Sequence, residues 1–186
     1  NIHISQAANG LLGWGVVATG LGGVFCSVMV YDSTRRPLWH WSRTGLRFLL
    51  TGALLGIPTS LLIAFVAAGS TESLTVRQIM DDYGTDLCGW LVMVAAVKLL
   101  FEASIFTHLF SRRLTSLRRT AKLATGDLGR WTAQRFLCGV LGGVALPGFL
   151  FLAPLLDKQQ PPSTQFVTIA VVLSLGFYFL GEVLER

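Results

Sequence analysis

The sequence predicts an all-α protein, a polytopic transmembrane helix bundle with about five spans in this chain. Hydrophobic residues make up 52% of the chain and charged residues only 13%, whereas a soluble domain has about 25% charged residues. The apolar residues are gathered into five long stretches, which we call A to E, and the basic residues lie mainly in two of the links. The stretches cover residues 8–31, 45–69, 86–110, 131–156 and 164–184.

The length of these stretches favours membrane-spanning helices over barrel strands. A hydrocarbon core of about 30 Å is crossed by about 20 helical residues, and each stretch reaches that length. Because lipid offers no hydrogen-bond partners, a spanning segment is either a helix or part of a closed barrel. Barrel strands alternate in polarity over about ten residues, and these stretches are longer and uniformly apolar. We therefore expect five helices.

Small residues and prolines predict how these helices pack and bend. Stretch A contains six glycines, which allow neighbouring backbones to approach closely. Stretch B has the GxxxG spacing at Gly52 and Gly56, and then Pro58, which is expected to kink the helix. Stretch D repeats the spacing at Gly139 and Gly143, and stretch E is a shorter apolar run.

The distribution of charge predicts which links face the cytoplasm. The A–B link and its margins carry four arginines against one aspartate, and the C–D link carries seven basic residues against one aspartate. The B–C link instead carries four acidic residues against one arginine. Because basic residues are retained on the cytoplasmic side, the A–B and C–D links are predicted to lie inside. This pattern indicates membrane topology and not nucleic-acid binding.

Lys98 and Glu102 are the first candidates for chemistry, because both lie inside stretch C. A charge near the centre of a span costs about 2.5–3.5 kcal/mol on insertion scales, so it usually faces the bundle and finds a partner. Side chains at i and i+4 of a helix can reach each other. The pair is either an element of a quinol site or proton pathway, or a self-neutralising pair that holds the helix in the bundle.

The A–B link supplies a second set of candidates. Tryptophan prefers the membrane interface, and arginine beside it suits a lipid phosphate or the carboxylates of a partner protein. The alternative is an aromatic belt with a charge cluster that only sets topology. The partner or lipid interface candidates are Arg35, Arg36, Trp39, Trp41 and Arg43. His40, between the two tryptophans, is also a candidate for the quinol or proton pathway.

The histidines and cysteines predict no metal centre in this chain. His108 lies near the cytoplasmic end of stretch C and is a further proton-pathway candidate. A haem held by two histidines needs both within the membrane, and the other two, His3 and His40, lie outside the stretches. The three cysteines are isolated and lack pairing or metal-binding spacing. No hydrolase or phosphate-binding motif is present.

Four segments together resemble a known family of membrane subunits. They are VFCSVMVYDSTRRPLWHWSRTGLRFLLTGALLG over residues 24–56, DDYGTDL at the start of stretch C, LLFEASIF, and the final LGEVLER. The pattern resembles the membrane-anchor subunit of dimethyl sulfoxide reductase-type molybdoenzymes, within the polysulfide reductase and nitrite reductase quinol-subunit superfamily. The resemblance covers essentially the whole chain. The chain would correspond to the later spans of an anchor subunit that has about eight spans. We therefore expect a longer anchor subunit.

The resemblance implies a role in anaerobic respiration in the bacterial cytoplasmic (inner) membrane. Such an anchor is haem-free, binds a quinol, usually menaquinol, and passes two electrons to an iron–sulfur electron-transfer subunit. That subunit feeds a molybdopterin catalytic subunit, which determines the terminal substrate. The family's quinol-binding residues lie mainly in early spans, so a complete quinol site does not carry over to this chain. Anchors of exported reductases meet their partner subunits on the outer face of the membrane. The charge pattern instead predicts that the loop around His40 lies on the cytoplasmic side, so the sequence leaves both membrane faces as alternatives for partner binding.

Two other functions are left open by the sequence. The chain is alternatively a fragment of a secondary transporter or channel that uses Lys98 and Glu102 as a coupling pair, although A–B does not repeat in C–D as transporter halves tend to do. It is also consistent with a structural membrane subunit without a redox role. Whether the chain is itself quinol-oxidising or non-catalytic is not decided by its residues.

Overall fold

The computed structural model describes residues 6–34, 41–70, 75–110, 116–126, 128–156 and 162–185. Within these ranges every regular element is helical and no strand occurs, which confirms the predicted all-α class. Five helical runs in the described ranges are long and apolar enough to cross a membrane. They are Gly10–Ser33, Trp41–Ser70, Val76–Thr107, Gly129–Pro154 and Thr164–Leu184.

The helices are numbered in chain order, and two π-helical turns and one 3-10 segment lie between them. The elements are α1 Gln6–Ser33, α2 Trp41–Ser70, α3 Val76–Ile79, a first π turn Met80–Gly84, α4 Thr85–Ala103, a 3-10 segment Ser104–Phe110, α5 Ser116–Thr125, α6 Gly129–Val140, a second π turn Leu141–Ala145, α7 Leu146–Leu156 and α8 Thr164–Glu185.

The chain divides into two compact units, residues 1–49 and 50–186. In the first unit, Val28 is buried and lies within 4 Å of the position a Cβ would take on Gly45. The rings of Tyr31 and Phe48 pack with their centroids 5.7 Å apart. These contacts hold the end of α1 against the start of α2.

The third span begins earlier than stretch C, which was predicted to start at residue 86. Helical residues run from Val76 through the first π turn into α4 and the 3-10 segment. Thr75 is the N-cap and forms a reciprocal capping box with Gln78, which satisfies two backbone donors at the helix start. The last part of the B–C link, from Val76 onward, thus belongs to the beginning of the span itself.

The fourth span, Gly129–Pro154, is continuous through Pro147. Proline lacks an N–H group and its ring clashes with the carbonyl of the residue four positions earlier, here Gly143. The second π turn, Leu141–Ala145, lies at that place. Local π adjustments re-satisfy the backbone groups that a proline frees in a membrane span, and α6 and α7 lie within one span.

The second unit has two clusters of buried apolar side chains. The larger contains Leu61 and Phe65 of α2, Cys88 of α4, Leu150 of α7 and Val171 of α8, among others. The smaller is formed by Leu54, Leu91, Ala95 and Tyr178. Both clusters combine residues from α2, α4 and α8, so they hold these helices together beside the site described next.

Candidate functional site

Lys98 and Glu102 both point into the second unit from α4. Lys98 is 5% exposed and Glu102 is 6% exposed, so neither charge faces outward. The distance from Lys98 Nζ to Glu102 Oε1 is 3.7 Å, as their i,i+4 spacing predicted. The pair is therefore inside the helix packing, where an unpartnered charge would cost several kcal/mol.

Two further charges that the sequence analysis did not select complete the site. Lys98 Nζ forms a closer ion pair with Glu182 of α8. Arg135 of α6 places Nη2 at 2.5 Å from Glu102 Oε1. The predicted local pair is thus part of a larger arrangement that joins three spans.

Thr51 of α2 connects the site to a fourth span. Its hydroxyl accepts a hydrogen bond from Lys98 Nζ at 2.9 Å and donates one to Glu182 Oε1 at 3.3 Å. We call these five side chains the charge cluster: Thr51, Lys98, Glu102, Arg135 and Glu182. Four helices, α2, α4, α6 and α8, each contribute to it.

The charge cluster is formally neutral, since it contains two cations and two carboxylates. A buried ion pair gains little net stability when its desolvation is counted, but removing one partner leaves an uncompensated charge and costs about 3–5 kcal/mol. Charges inside a membrane span obey the same logic and mark pathways or structural locks. The cluster therefore fixes which faces of the four helices meet, whatever further role it has.

Close glycine contacts bring the second π turn, which follows α6, near enough to α8 for the cluster to form. A Cβ on Gly142 would lie 2.9 Å from both the Ser174 carbonyl oxygen and Phe177 Cβ. A Cβ on Gly143 would overlap the Tyr178 hydroxyl. The Ser174 hydroxyl also donates a hydrogen bond to the Gly142 carbonyl. Only residues without a side chain fit here.

The two GxxxG spacings predicted from the sequence behave differently. In stretch D, a Cβ on Gly139 would lie 3.0 Å from a methyl group of Leu99, and Gly143 abuts α8 as described. In stretch B, a Cβ on Gly52 or Gly56 would meet nothing within 4 Å in the described part of the chain. The spacing marks a helix contact in one case and an open surface in the other.

A small cavity lies between the charge cluster and its apolar neighbours. Its volume is about 20 Å³, and Leu54, Ala95 and Tyr178 are among the residues that line it. Tyr178 is 5% exposed, and its hydroxyl makes no hydrogen bond within the described residues. A cavity of this size is near the minimum for one water molecule and far below the 300–1,000 Å³ of small-molecule sites. The cluster thus suits charges and protons, not a quinol ring.

The other predicted site residues fall elsewhere or outside the description. Arg35, Arg36, Trp39 and His40 lie outside the described residues, as does the side chain of His108, whose backbone is in the 3-10 segment.

Two residues of the A–B candidate interface are described. Trp41 is 56% exposed, and its backbone N–H donates to Asp32 Oδ1 at 2.9 Å. Arg43 is also exposed. Both belong to the first unit, and the side chains of both are exposed.

A simple rule applied to the sequence would also have selected Arg135 and Glu182 as members of the charge cluster. Arg135 lies inside stretch D and Glu182 inside stretch E, but Arg135 was counted with the C–D link and Glu182 only as part of a family-like ending. Every charge within a span needs a partner. If each of the four charges within the spans is required to have a partner of opposite sign, the four residues are predicted to form one group.

Comparisons with known proteins give no further identification. No family model, no curated protein and no solved structure matches the chain. Among the described residues, no group of three or more histidine, cysteine, aspartate or glutamate side chains is arranged to hold a metal ion.

Proposed function

We propose that this chain is part of the membrane anchor of a molybdopterin oxidoreductase complex of the dimethyl sulfoxide reductase type. In this proposal the anchor lies in the bacterial cytoplasmic membrane, binds menaquinol or another quinol, and oxidises it. It passes two electrons to an iron–sulfur partner subunit, which supplies a molybdopterin catalytic subunit. The iron–sulfur clusters and the molybdopterin belong to those partners.

One observation carries the proposal. Two of the segments that resemble the family, LLFEASIF and LGEVLER, are far apart in the chain and supply Glu102 and Glu182. Lys98 contacts both carboxylates. Two segments that resemble the same family thus meet at one buried polar site, and we expect them to serve one function. This supports a resemblance that goes beyond shared hydropathy.

The charge cluster has the chemistry that a proton pathway needs. Quinol oxidation releases two protons along with two electrons, so the membrane subunit must carry protons away from an apolar surrounding. Lys98 has two carboxylate partners, one at 3.7 Å and one in direct contact. A carboxylate that loses its cation to the other partner becomes a better proton acceptor. Glu102 and Glu182 are therefore the groups proposed to exchange protons.

The test uses the full-length anchor purified with its partner subunits. We expect an iron–sulfur subunit to copurify, and the complex to oxidise menadiol with matching electron delivery to that subunit. A fluorescent hydroxyquinoline N-oxide, which mimics a quinol, should be quenched on binding. An assembled complex that neither binds this probe nor oxidises menadiol would refute the quinol role.

A structural membrane subunit is the second candidate. The neutrality of the charge cluster and its cavity of about 20 Å³ favour it, because internal partners already satisfy the charges. This candidate predicts copurification without probe binding. The transporter alternative predicts instead that proteoliposomes with this protein alone take up a solute.

A further inference from the structure

A second cavity lies at the other end of the third span from the charge cluster. Its volume is about 210 Å³, and it is lined by the start of that span together with α7 and the first residues of α8. From Asp81 at this cavity to Lys98 is about 25 Å at a rise of 1.5 Å per helical residue. It is thus a separate site near the opposite ends of the helices.

The cavity combines an apolar floor with a polar rim. Met80, Leu150 and Val167 line the floor and are buried. Arg77 and Asp81 lie on the rim and are exposed. One cation and one carboxylate therefore face a space whose base is hydrophobic, which is the usual composition of a small-molecule site.

The first π turn shapes one wall of this cavity. Met80 and Asp81 belong to it, and a Cβ on Gly84 would lie 2.6 Å from Met80 Sδ. Gly84 therefore leaves room for the Met80 side chain beside the cavity. π turns occur often at functional sites, and this one brings an apolar and an acidic side chain to the same opening.

The position of the cavity suits an amphiphile. It lies where the B–C and D–E links join the spans, and the charge pattern predicts that these links face away from the cytoplasm. A ligand with a polar head and a long apolar tail has its head at this depth and its tail among the lipids. The volume is below that of sites for drug-sized ligands, which fits a head of one or two rings.

We propose that this cavity binds the head group of the quinol, an inference that rests on the proposed function and locates its substrate. The Arg77 guanidinium donates a hydrogen bond to one quinol oxygen, and the Asp81 carboxylate accepts one from the other hydroxyl. The paired charges suit a neutral ligand. A phosphate head group would be attracted by Arg77 but repelled by Asp81, so a quinol is favoured over an anionic lipid.

The oxidation step balances with groups that the proposal names. Both O–H bonds of the quinol break, and the product quinone has two carbonyl oxygens. The two electrons go to the iron–sulfur partner. Asp81 takes one proton and, being exposed, releases it to water, and the second proton leaves by the pathway proposed for Glu102 and Glu182. Arg77 then donates its hydrogen bond to a carbonyl oxygen of the quinone.

The test compares neighbouring residues that do and do not line the cavity. The probe is the fluorescent hydroxyquinoline N-oxide, titrated into the full-length anchor with its partner subunits. Asp81→Asn removes the rim carboxylate, and Asp82→Asn is its control, since Asp82 does not line the cavity. Thr164→Trp fills the cavity from an exposed lining position, and Gln165→Trp is its control.

We expect Asp81→Asn and Thr164→Trp to raise the Kd of the probe at least tenfold, with both controls unchanged. Menadione should displace the probe and phosphatidylglycerol should not. Co-elution of each variant with its partner subunits in size-exclusion chromatography shows that the variant is folded. If the Thr164→Trp variant does not assemble, the Kd measured for Asp81→Asn decides the test.

The outcomes separate this inference from the proposed function. If the unmodified complex binds the probe but Asp81→Asn and Thr164→Trp bind it equally well, the cavity assignment is overturned and the quinol role stands. Displacement by phosphatidylglycerol as potent as that by menadione also overturns it, in favour of a lipid site. If the unmodified complex does not bind the probe at all, the quinol role fails and the cavity assignment fails with it.

Discussion

Lys98 of α4 forms an ion pair with Glu182 of α8, although the third and fifth spans are separated in sequence by the whole of the fourth. Thr51 accepts a hydrogen bond from this lysine and donates one to this glutamate. The pair therefore links three helices through two charges and one hydroxyl.

Loss of one carboxylate from this pair should destabilise the protein. We expect Glu182→Gln to lower the free energy of unfolding by about 3 kcal/mol, because a buried lysine loses its nearest counter-charge. The double substitution Lys98→Met with Glu182→Leu should recover most of the loss, since apolar residues remove both desolvation costs. Denaturant unfolding in detergent measures both. A Glu182→Gln variant as stable as the original would show that the pair is not structural.

The contact between α6–α7 and α8 should be sensitive to a single methyl group. Gly143→Ala places a methyl against the Tyr178 hydroxyl and 2.6 Å from Ala95 Cβ, and overpacking of this kind costs about 1–3 kcal/mol. Tyr178→Phe in the same chain should restore part of the stability by removing the hydroxyl. Gly52→Ala, with open space around it, is the control and should be neutral or slightly stabilising. Thermal unfolding in detergent distinguishes these results.

The proton role proposed for the charge cluster should be separable from its structural role. We expect Glu102→Gln to slow menadiol oxidation by the assembled complex at least tenfold, as loss of a positioned proton-transfer group does, without changing the Kd of the quinol probe. Asp86→Asn, at an exposed position on the same helix, is the matched control. An unchanged rate per folded complex, with only the melting temperature lowered, would assign the cluster a purely structural role.

The predicted topology should be visible from cysteine labelling. In a chain whose native cysteines are replaced, Asp82→Cys in the first π turn should react with an impermeant maleimide on intact spheroplasts. Thr125→Cys at the end of α5 should react only after lysis, because the basic C–D link is expected inside. Both positions are exposed. The reverse labelling pattern would contradict the charge-based orientation.

Two of the four charged residues of the charge cluster were predicted from the sequence, and the other members were not. Lys98 and Glu102 were found because two charges one helical turn apart in an apolar run are costly without a partner. Arg135 and Glu182 also lie in apolar runs, but their distances to that pair depend on how α6 and α8 pack. Thr51 carried no signal, since a single hydroxyl is unremarkable in a span.

The sequence by itself determined the all-α class and the five spans, because hydropathy over about 20 residues is a property of consecutive residues and needs no knowledge of packing. Only the tertiary structure decided which charges neutralise each other and where the cavities lie. Helix register and close approach set those features: Gly142 and Gly143 bring α8 against the second π turn, and Glu182 reaches Lys98 as a result. Such contacts join residues from separate spans, and no periodicity within one span records them.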